Sequence, residues 1–435
     1  MAILWFGSWK NTYSSYVPAW VKQDARRFAR VQTADGHGTE RLSPFCAACR
    51  DADAKAFARL LQHLREADGN QRTVLFLQVE NEVGVIPQSR DHSAAANAAF
   101  NATVPRTLMR YLTAHRASLD PTLRAAWEAA GGKTTGTWQH VFGNGSLTDD
   151  LFMAWAYAGY IDRVAAAGKA AYSLPMYTNA ALVRPNYEPG QYNSGGPLPH
   201  SMDLWKAGAP ELDFLSPDIY FNDFAFWAAS YARPDNPLFI PEAAGGATGS
   251  ANALYAFGQL KAIGFSPFGI DGGPSDNPIS NTYAELARLA PLILRMQSEG
   301  GISAMIIESG QQRGGGRQRI GDYIANMAPA GGFRSGPPGA AAAAPASRIS
   351  ALFLQTGPNE FLVVGSGDGR LTFTTDRPGP PIVGIESIDE QFLQEDGGFV
   401  PGRRLNGDEN SQGQSLRLNA GDLAQGKLYR IRLYR

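Results

Sequence analysis

The segment Gln78-Val79-Glu80-Asn81-Glu82-Val83-Gly84 places two carboxylates and two amides where an apolar run ends. Val74-Leu75-Phe76-Leu77, just before it, reads as a buried strand, so the polar groups stand at that strand's C-terminal end. Carboxylates in such a place are costly to bury without partners or a task. Leu238-Phe239-Ile240-Pro241-Glu242-Ala243 repeats the arrangement. A short apolar run again ends in a carboxylate, and Ala244-Gly245-Gly246 then turns away, leaving room beside Glu242. Two strand-end carboxylates about 160 residues apart can meet only if their strands belong to one closed sheet. Such a pair suits glycoside hydrolysis with retention. One carboxylic acid protonates the leaving oxygen, and the other carboxylate, about 5–5.5 Å away, attacks the anomeric carbon.

Further side chains stand at expected strand ends. Tyr177, Thr178 and Asn179 close one run and Tyr220 closes another. A tyrosine beside a nucleophilic carboxylate can donate to it and hold it ionised, and Tyr220 is expected in that role. Asn179 is a candidate sugar contact or a loop cap. Glu80 lies two residues before Glu82, so on a strand both would point to one side. It is either a sugar-hydroxyl acceptor or a structural hydrogen-bonding carboxylate. Trp5, Trp9, Phe268 and Asp271 stand at other ends. Aromatic rings there can stack on pyranose faces, and Asp271 can accept from hydroxyls.

Other chemistries find little. The six histidines show no HExxH spacing, so no metal site is expected. Cys46-Ala47-Ala48-Cys49 lacks the second ligand pair that zinc needs, which leaves a local disulfide or two free thiols. Arg313 to Arg317 and Gly365 to Gly369 are glycine-rich but carry no phosphate-loop Lys-Ser/Thr, so they read as loops or turns. No GxSxG elbow is present. No cofactor is implied.

The elements that must position these residues alternate. Short apolar runs at 3–7, 74–80, 172–178, 214–220, 238–241 and 265–271 are separated by helical patterns. Phe57, Leu60, Leu61 and Leu64 set a helix over about 51–67, and Thr148 or Asp149 can cap another running to about 168. The stretch of about 90–145 is polar and helical. Strands alternating with helices predict parallel βα units. A Gly/Pro/Ala-rich linker is expected at 331–347. Short alternating runs from 348 to 435, with Asp368-Gly369 and Asn406-Gly407 as hairpin signals, predict a small all-β sandwich.

The 435 residues carry 39 basic and 40 acidic side chains, a formal net charge of -1. That balance argues against a nucleic-acid partner, which would need a basic excess. With 44% hydrophobic residues the chain has material for a sizeable core. Its 48 glycines and 28 prolines, with 8 Trp, 16 Tyr and 22 Phe, suit many strand-to-helix joints and a sugar site. No apolar run approaches the roughly 20 residues of a membrane span, and no signal peptide is visible. The compartment stays open.

Gln-Val-Glu-Asn-Glu-Val-Gly resembles the acid/base motif of glycoside hydrolase family 35, the β-galactosidases, which often reads Gln-Val-Glu-Asn-Glu-Tyr-Gly. Leu4 to Asn11 and Asp213 to Tyr220 also resemble a bacterial branch of that family, one with a C-terminal β domain of uncharacterised type. The resemblance covers nearly the whole chain. It implies a (β/α)₈ barrel of the TIM type in residues 1–330, with Glu82 as acid/base at strand four and Glu242 as nucleophile at strand seven. Asn81 would bond the sugar 2-hydroxyl. It also implies that the strand at 3–7 is strand three, so the barrel's first two strands are absent from this chain and strands three and eight have free edges. Free edges invite pairing, so a homo-oligomer is an expected partner state beside the carbohydrate substrate. The expected function is a retaining β-galactosidase. The alternatives are a non-catalytic carbohydrate-binding remnant, or a relative acting as β-glucosidase or endoglycanase.

Overall fold

Val74-Leu75-Phe76-Leu77-Gln78-Val79-Glu80-Asn81 forms a strand buried along most of its length, with no strict alternation. That pattern belongs to a parallel sheet covered on both faces. The computed structural model describes residues 2–183, 186–272, 277–308, 316–330, 348–379, 382–395 and 397–435. Two compact units divide the chain, Met1–Asp218 and Ile219–Arg435.

In the first unit, β1 (Ala2–Lys10), β4 (Val74–Asn81), β5 (Met176–Ala181) and β6 (Phe214–Ile219) lie side by side in that order, all parallel. A small hairpin, β2 (Arg30–Gln32) with β3 (Gly38–Leu42), stands apart from that sheet. The helix Ala47–Asp68 buries Phe57, Leu61 and Leu64, one stripe at helical spacing. Its last residue ties the next strand: Asp68 accepts from the N–H groups of Thr73 and Val74 at 2.9 and 2.8 Å. A second long helix, Ser146–Ala171, packs on the first. Gly168 permits the close approach, since a Cβ there would lie 2.4 Å from the Phe57 ring. The stretch between β4 and this helix folds as four short helices, Ala94–Asn101, Arg106–Ala114, Pro121–Ala129 and Trp138–Phe142. Cys46 and Cys49 form a disulfide at the start of Ala47–Asp68.

In the second unit, β7 (Phe239–Ala243) and β8 (Gly264–Pro267) pair in parallel. The remaining strands are antiparallel. They are β9 (Ile302–Ile307), β10 (Arg317–Ile320), β11 (Tyr323–Pro329), β12 (Ile349–Gly357), β13 (Glu360–Ser366), β14 (Gly369–Thr374), β15 (Gly384–Leu393), β16 (Phe399–Arg404), β17 (Leu416–Leu418) and β18 (Lys427–Tyr434). One sheet has the order β10-β11-β14-β17 and the other β16-β15-β18-β13-β12-β9. They share one buried cluster that includes Met305, Tyr323, Phe353, Phe361, Leu371 and Ile431. The chain is thus a parallel α/β fold with antiparallel sheets in its C-terminal region.

Several boundaries differ from the sequence reading. The strand expected at 172–178 begins only at Met176, because the preceding helix runs on to Ala171. That helix is entered through Gly145 with no side-chain cap, not through Thr148 or Asp149. The run at 265–271 ends as strand at Pro267 and continues as a 3-10 turn, Ile270–Gly272. Asp368-Gly369 makes no hairpin, since β13 and β14 lie in different sheets. Asn406-Gly407 opens a longer loop between β16 and β17. Strands β9, β10, β11 and β16 were not foreseen. The expected linker at 331–347 lies outside the described residues, as do Arg313 to Gly315. Among the described residues no helix is long and apolar enough to cross a membrane.

Candidate active site

The end of β4 is held in unusual backbone. Glu80 and Glu82 both have left-handed φ, +63° and +47°. Side chains with a Cβ seldom adopt that region, and residues kept there cluster at functional sites. The alternation that would put Glu80 and Glu82 on one side of a strand therefore does not hold.

Glu80 turns back onto β1. Its Oε2 accepts the N–H groups of Ser8 and Trp9, both at 2.8 Å. Gly7 makes room, since a Cβ there would meet that oxygen at 2.6 Å. The Ser8 hydroxyl donates to Asp53 at 2.9 Å and lies 3.4 Å from Glu80 Oε1, and Tyr160 donates to Asp53. Burial, and then the charge of Asp53, push the Glu80 carboxyl well above the usual carboxylate range. Burial also raises Asp53, to about 6, against the hydrogen bonds from Tyr160 and Ser8. One arrangement satisfies every group: a proton on Glu80 Oε1 faces the Ser8 hydroxyl, which donates to ionised Asp53. Glu80 is thus enclosed and partnered by protein groups, the structural alternative rather than the sugar contact.

Glu82 is gripped through its main chain. Asn179 Oδ1 accepts its N–H at 3.0 Å. Its carbonyl accepts from Asn193 Nδ2 at 3.0 Å and from the Thr12 N–H at 3.2 Å. Asn179 Oδ1 also accepts from Gln78 Nε2 at 3.0 Å, and Asn179 Nδ2 donates to Asp218 at 2.6 Å. Tyr177 donates to Gln78 Oε1 at 2.7 Å. Asn179 is 0% exposed and its amide is spent on protein groups, so it holds the strand end rather than offering itself to a sugar.

Asn81 accepts from Lys10 Nζ at 3.1 Å, and the same ammonium lies 5.7 Å from the centre of the Trp5 ring. Trp5 is partly exposed and meets Tyr16 edge-on. Trp9 is core, packed edge-on to Tyr157 and Tyr160. Sequence reasoning gave no role to Lys10, Ser8, Asp53, Tyr160 and Asn193, although Ser8 and Lys10 lie in the Leu4 to Asn11 segment that carries the resemblance. Only the position of Ser8 and Lys10, late in an apolar strand, was a usable signal.

In the second unit Glu242 lies in β7 and is half-buried. The hydroxyl of Tyr220 donates to its Oε2 at 2.7 Å, the pairing expected from the sequence. The Tyr220 ring is 48% exposed and stands edge-on to Phe268, which is 64% exposed. Asp271 lies in the 3-10 turn beyond β8, exposed. Among the described residues, no group of three His, Cys, Asp or Glu side chains is gathered as a metal ion would require.

Residues 279–417 match the family model described as a domain of unknown function (DUF5597). No curated protein matches the chain. Among solved structures, the chain is similar to a β-galactosidase from Bacillus circulans sp. alkalophilus, at 16% identity and a TM-score of 0.37, covering 64% of this chain and 45% of that one. It is similar to a catalytic mutant of a family 42 β-galactosidase from G. stearothermophilus, at 16% identity and 0.37, covering 65% and 46%. A third is the catalytic domain of a β-amylase from Paenibacillus polymyxa, at 12% identity and 0.38, covering 61% and 76%. The chain spans about half the length of the two β-galactosidases.

Proposed function

We propose that the protein is a retaining β-glycosidase acting on terminal β-galactosides, with Glu82 as acid/base and Glu242 as nucleophile. The observation that carries this reading is the 2.7 Å hydrogen bond from Tyr220 to Glu242 Oε2 at the end of a parallel strand. It anchors one oxygen of a half-buried carboxylate and favours its ionised form, as a nucleophile requires. The clamped, left-handed Glu82 at the end of β4 supports the second role. The preference for galactosides rests on the resemblance of Gln78 to Gly84 to the family 35 motif.

In this reading Glu82 gives its proton to the glycosidic oxygen while Glu242 Oε attacks C1. The aglycone leaves as an alcohol and a glycosyl ester forms. Glu82, now a carboxylate, takes a proton from water, which attacks C1 and frees Glu242. Asn81, Trp5 and Tyr220 contact the sugar. The route needs the two carboxyl groups about 5–5.5 Å apart.

A 2-deoxy-2-fluoro-β-galactosyl fluoride tests it, because the 2-fluorine slows both steps while the fluoride leaving group at C1 restores ester formation, so the ester accumulates. The expected result is one sugar per chain, mapped by peptide mass to Glu242. A label elsewhere overturns the assignment. Faster turnover of aryl glucosides than galactosides would move the specificity to β-glucosides. Sugar binding with neither label nor turnover would favour a binding-only protein.

A further inference from the structure

We infer that Glu308 and Arg348, contributed by the antiparallel sheets, are positioning residues that set the place of Tyr220. This rests on the proposed role of Tyr220 at the nucleophile. It gives the matched domain of unknown function a task in the site, since both residues fall within 279–417.

After β6 the chain runs Tyr220-Phe221-Asn222-Asp223 into the helix Phe224–Tyr231. Asp223 occupies the N-cap position in left-handed backbone, φ 65°, and its side chain makes no capping bond. The first helix N–H groups would be left without a local partner, and the left-handed Asp223 needs holding. Glu308 does both from outside. Its Oε2 accepts the N–H of Phe224 and its Oε1 that of Ala225, both at 2.9 Å. A carboxylate there also faces the favourable end of the helix dipole.

Arg348 grips the other end of the same segment. Its Nη2 donates to the carbonyl of Phe221 at 3.2 Å and lies 3.4 Å from Asn222 Oδ1. Its Nη1 donates to Asn252 Oδ1 at 2.6 Å, on the helix Gly246–Gln259. Arg348 and Glu308 are ion-paired at 3.3 Å, and both are buried. The register explains how they meet. Ile307, the last residue of β9, pairs with Ile349, the first of β12. Glu308 follows the one and Arg348 precedes the other, so the ladder's end delivers both. The helix Gly246–Gln259 is pressed onto these strands at Gly258, where a Cβ would lie 2.4 Å from Leu352.

Tyr220 itself stands half in solvent against an exposed ring. Its main chain runs straight into the clamped segment Phe221–Ala225, so the place of that segment bears on where its hydroxyl falls. The pair acts through the tyrosine.

The test uses the full chain and Arg348→Lys, which keeps the charge against Glu308 but loses the planar fork that reaches Phe221. Arg348→Met with Glu308→Gln is the second variant, since it removes both charges of the ion pair together. Melting curves show that each folds. The first readout is a cycle with Tyr220→Phe on an activated aryl β-galactoside. The expected result is a kcat about tenfold lower for Arg348→Lys with KM little changed, and less than about twofold lower when Tyr220 is already Phe. The second readout needs no activity: 3-fluorotyrosine at position 220, followed by fluorine NMR, should give a shifted or broadened line in either variant. A shifted line in a protein inert on every aryl glycoside keeps the positioning role and sinks the glycosidase reading. An unchanged line, or equal losses of kcat in both backgrounds, overturns the positioning role.

Discussion

The amide oxygen of Asn179 accepts the main-chain N–H of Glu82 at 3.0 Å. The same oxygen takes the Gln78 amide, and the Asn179 amide nitrogen is tied to Asp218. Its orientation is therefore fixed from both sides, and so is the backbone turn that presents Glu82.

Asn179→Ala should lower kcat on aryl β-galactosides by about 10- to 100-fold with little change in KM, because it loosens the proposed acid/base and not the binding contacts. Asn179→Asp should be pH-sensitive. Its second oxygen would face Asp218 at the distance of the present 2.6 Å bond, and two such carboxylates hold one proton between them. Activity of that variant should recover as pH falls. A kcat–pH profile checks this, and an Asn179→Ala enzyme as fast as the parent would remove the clamp from the mechanism.

The Glu80 contacts discriminate between two substitutions. In Glu80→Gln the amide oxygen can accept from Ser8 and Trp9 while the NH₂ faces the Ser8 hydroxyl, reproducing the protonated acid. Its stability should lie within about 1 kcal/mol of the parent at pH 7. Glu80→Ala leaves two buried N–H groups unpaired and should lose roughly 2–4 kcal/mol. Urea unfolding of the three proteins measures both. A Glu80→Gln protein as damaged as Glu80→Ala would mean that the carboxylate is needed ionised.

Asp53 gives a pH signature. Burial raises its folded value to about 6 from 3.8. Between these values the unfolded chain has released the proton and the folded one still holds it, so stability falls as pH rises through that window. In Asp53→Asn the fall should be shallower, with the part that the buried Glu80 carboxyl contributes remaining. Unfolding free energies at pH 4, 5, 6 and 7 decide it.

His200 predicts the opposite origin for a fall at higher pH. Burial works against its charge, but the neighbouring Asp150, 2.8 Å from Nε2, outweighs this and the net shift is upward. The stabilisation is complete below the unfolded value of 6.5 and is lost as pH rises through the folded one. Asp150 also accepts from Tyr192 and from the Gly195 N–H, so it anchors the segment that carries Asn193. Limited proteolysis between Tyr187 and His200 should speed up above neutral pH. In His200→Gln it should be fast already at pH 6, and a parent cut at one rate throughout would refute the coupling.

The roles of the two carboxylates separate with azide. Glu242→Gln should be inactive with any leaving group, since no glycosyl ester can form. Glu82→Gln should still be glycosylated by an activated aryl galactoside, and azide should speed its release because it attacks without a general base. Equal inactivity of both, with no azide effect, would undo the assignment.

The strands were legible because apolar runs need little context: 74–80 and 214–220 appear within a residue of β4 and β6. The pairing of Tyr220 with Glu242 was legible too, from two strand-end residues and the needs of a nucleophile. The clamp on Glu82 was not. A left-handed glutamate has no sequence mark, and Asn193 reaches it from a loop over 100 residues away. Asn179 stands open between sugar contact and loop cap in the sequence, because an amide at a strand end has the same letters whether it faces solvent or a neighbouring backbone. Ile302–Ile307 escaped notice because its partner, Ile349–Gly357, lies beyond the Gly/Ala-rich stretch.

The absence of a side chain at Gly7 ties that position to one 73 residues further on. While a carboxyl occupies the space above Gly7, alanine there meets an oxygen at 2.6 Å and the Glu80 Cα at 3.0 Å. A shorter side chain at position 80 would relieve the first clash but would orphan the N–H groups that Glu80 now serves. The space freed at position 80 comes only with those N–H groups left unpaired. The two sites form an epistatic lock, in which drift at one is closed unless Ser8 and Trp9 find new acceptors at the same step. Sequence space around this strand end is narrowed by geometry before any demand of catalysis is applied.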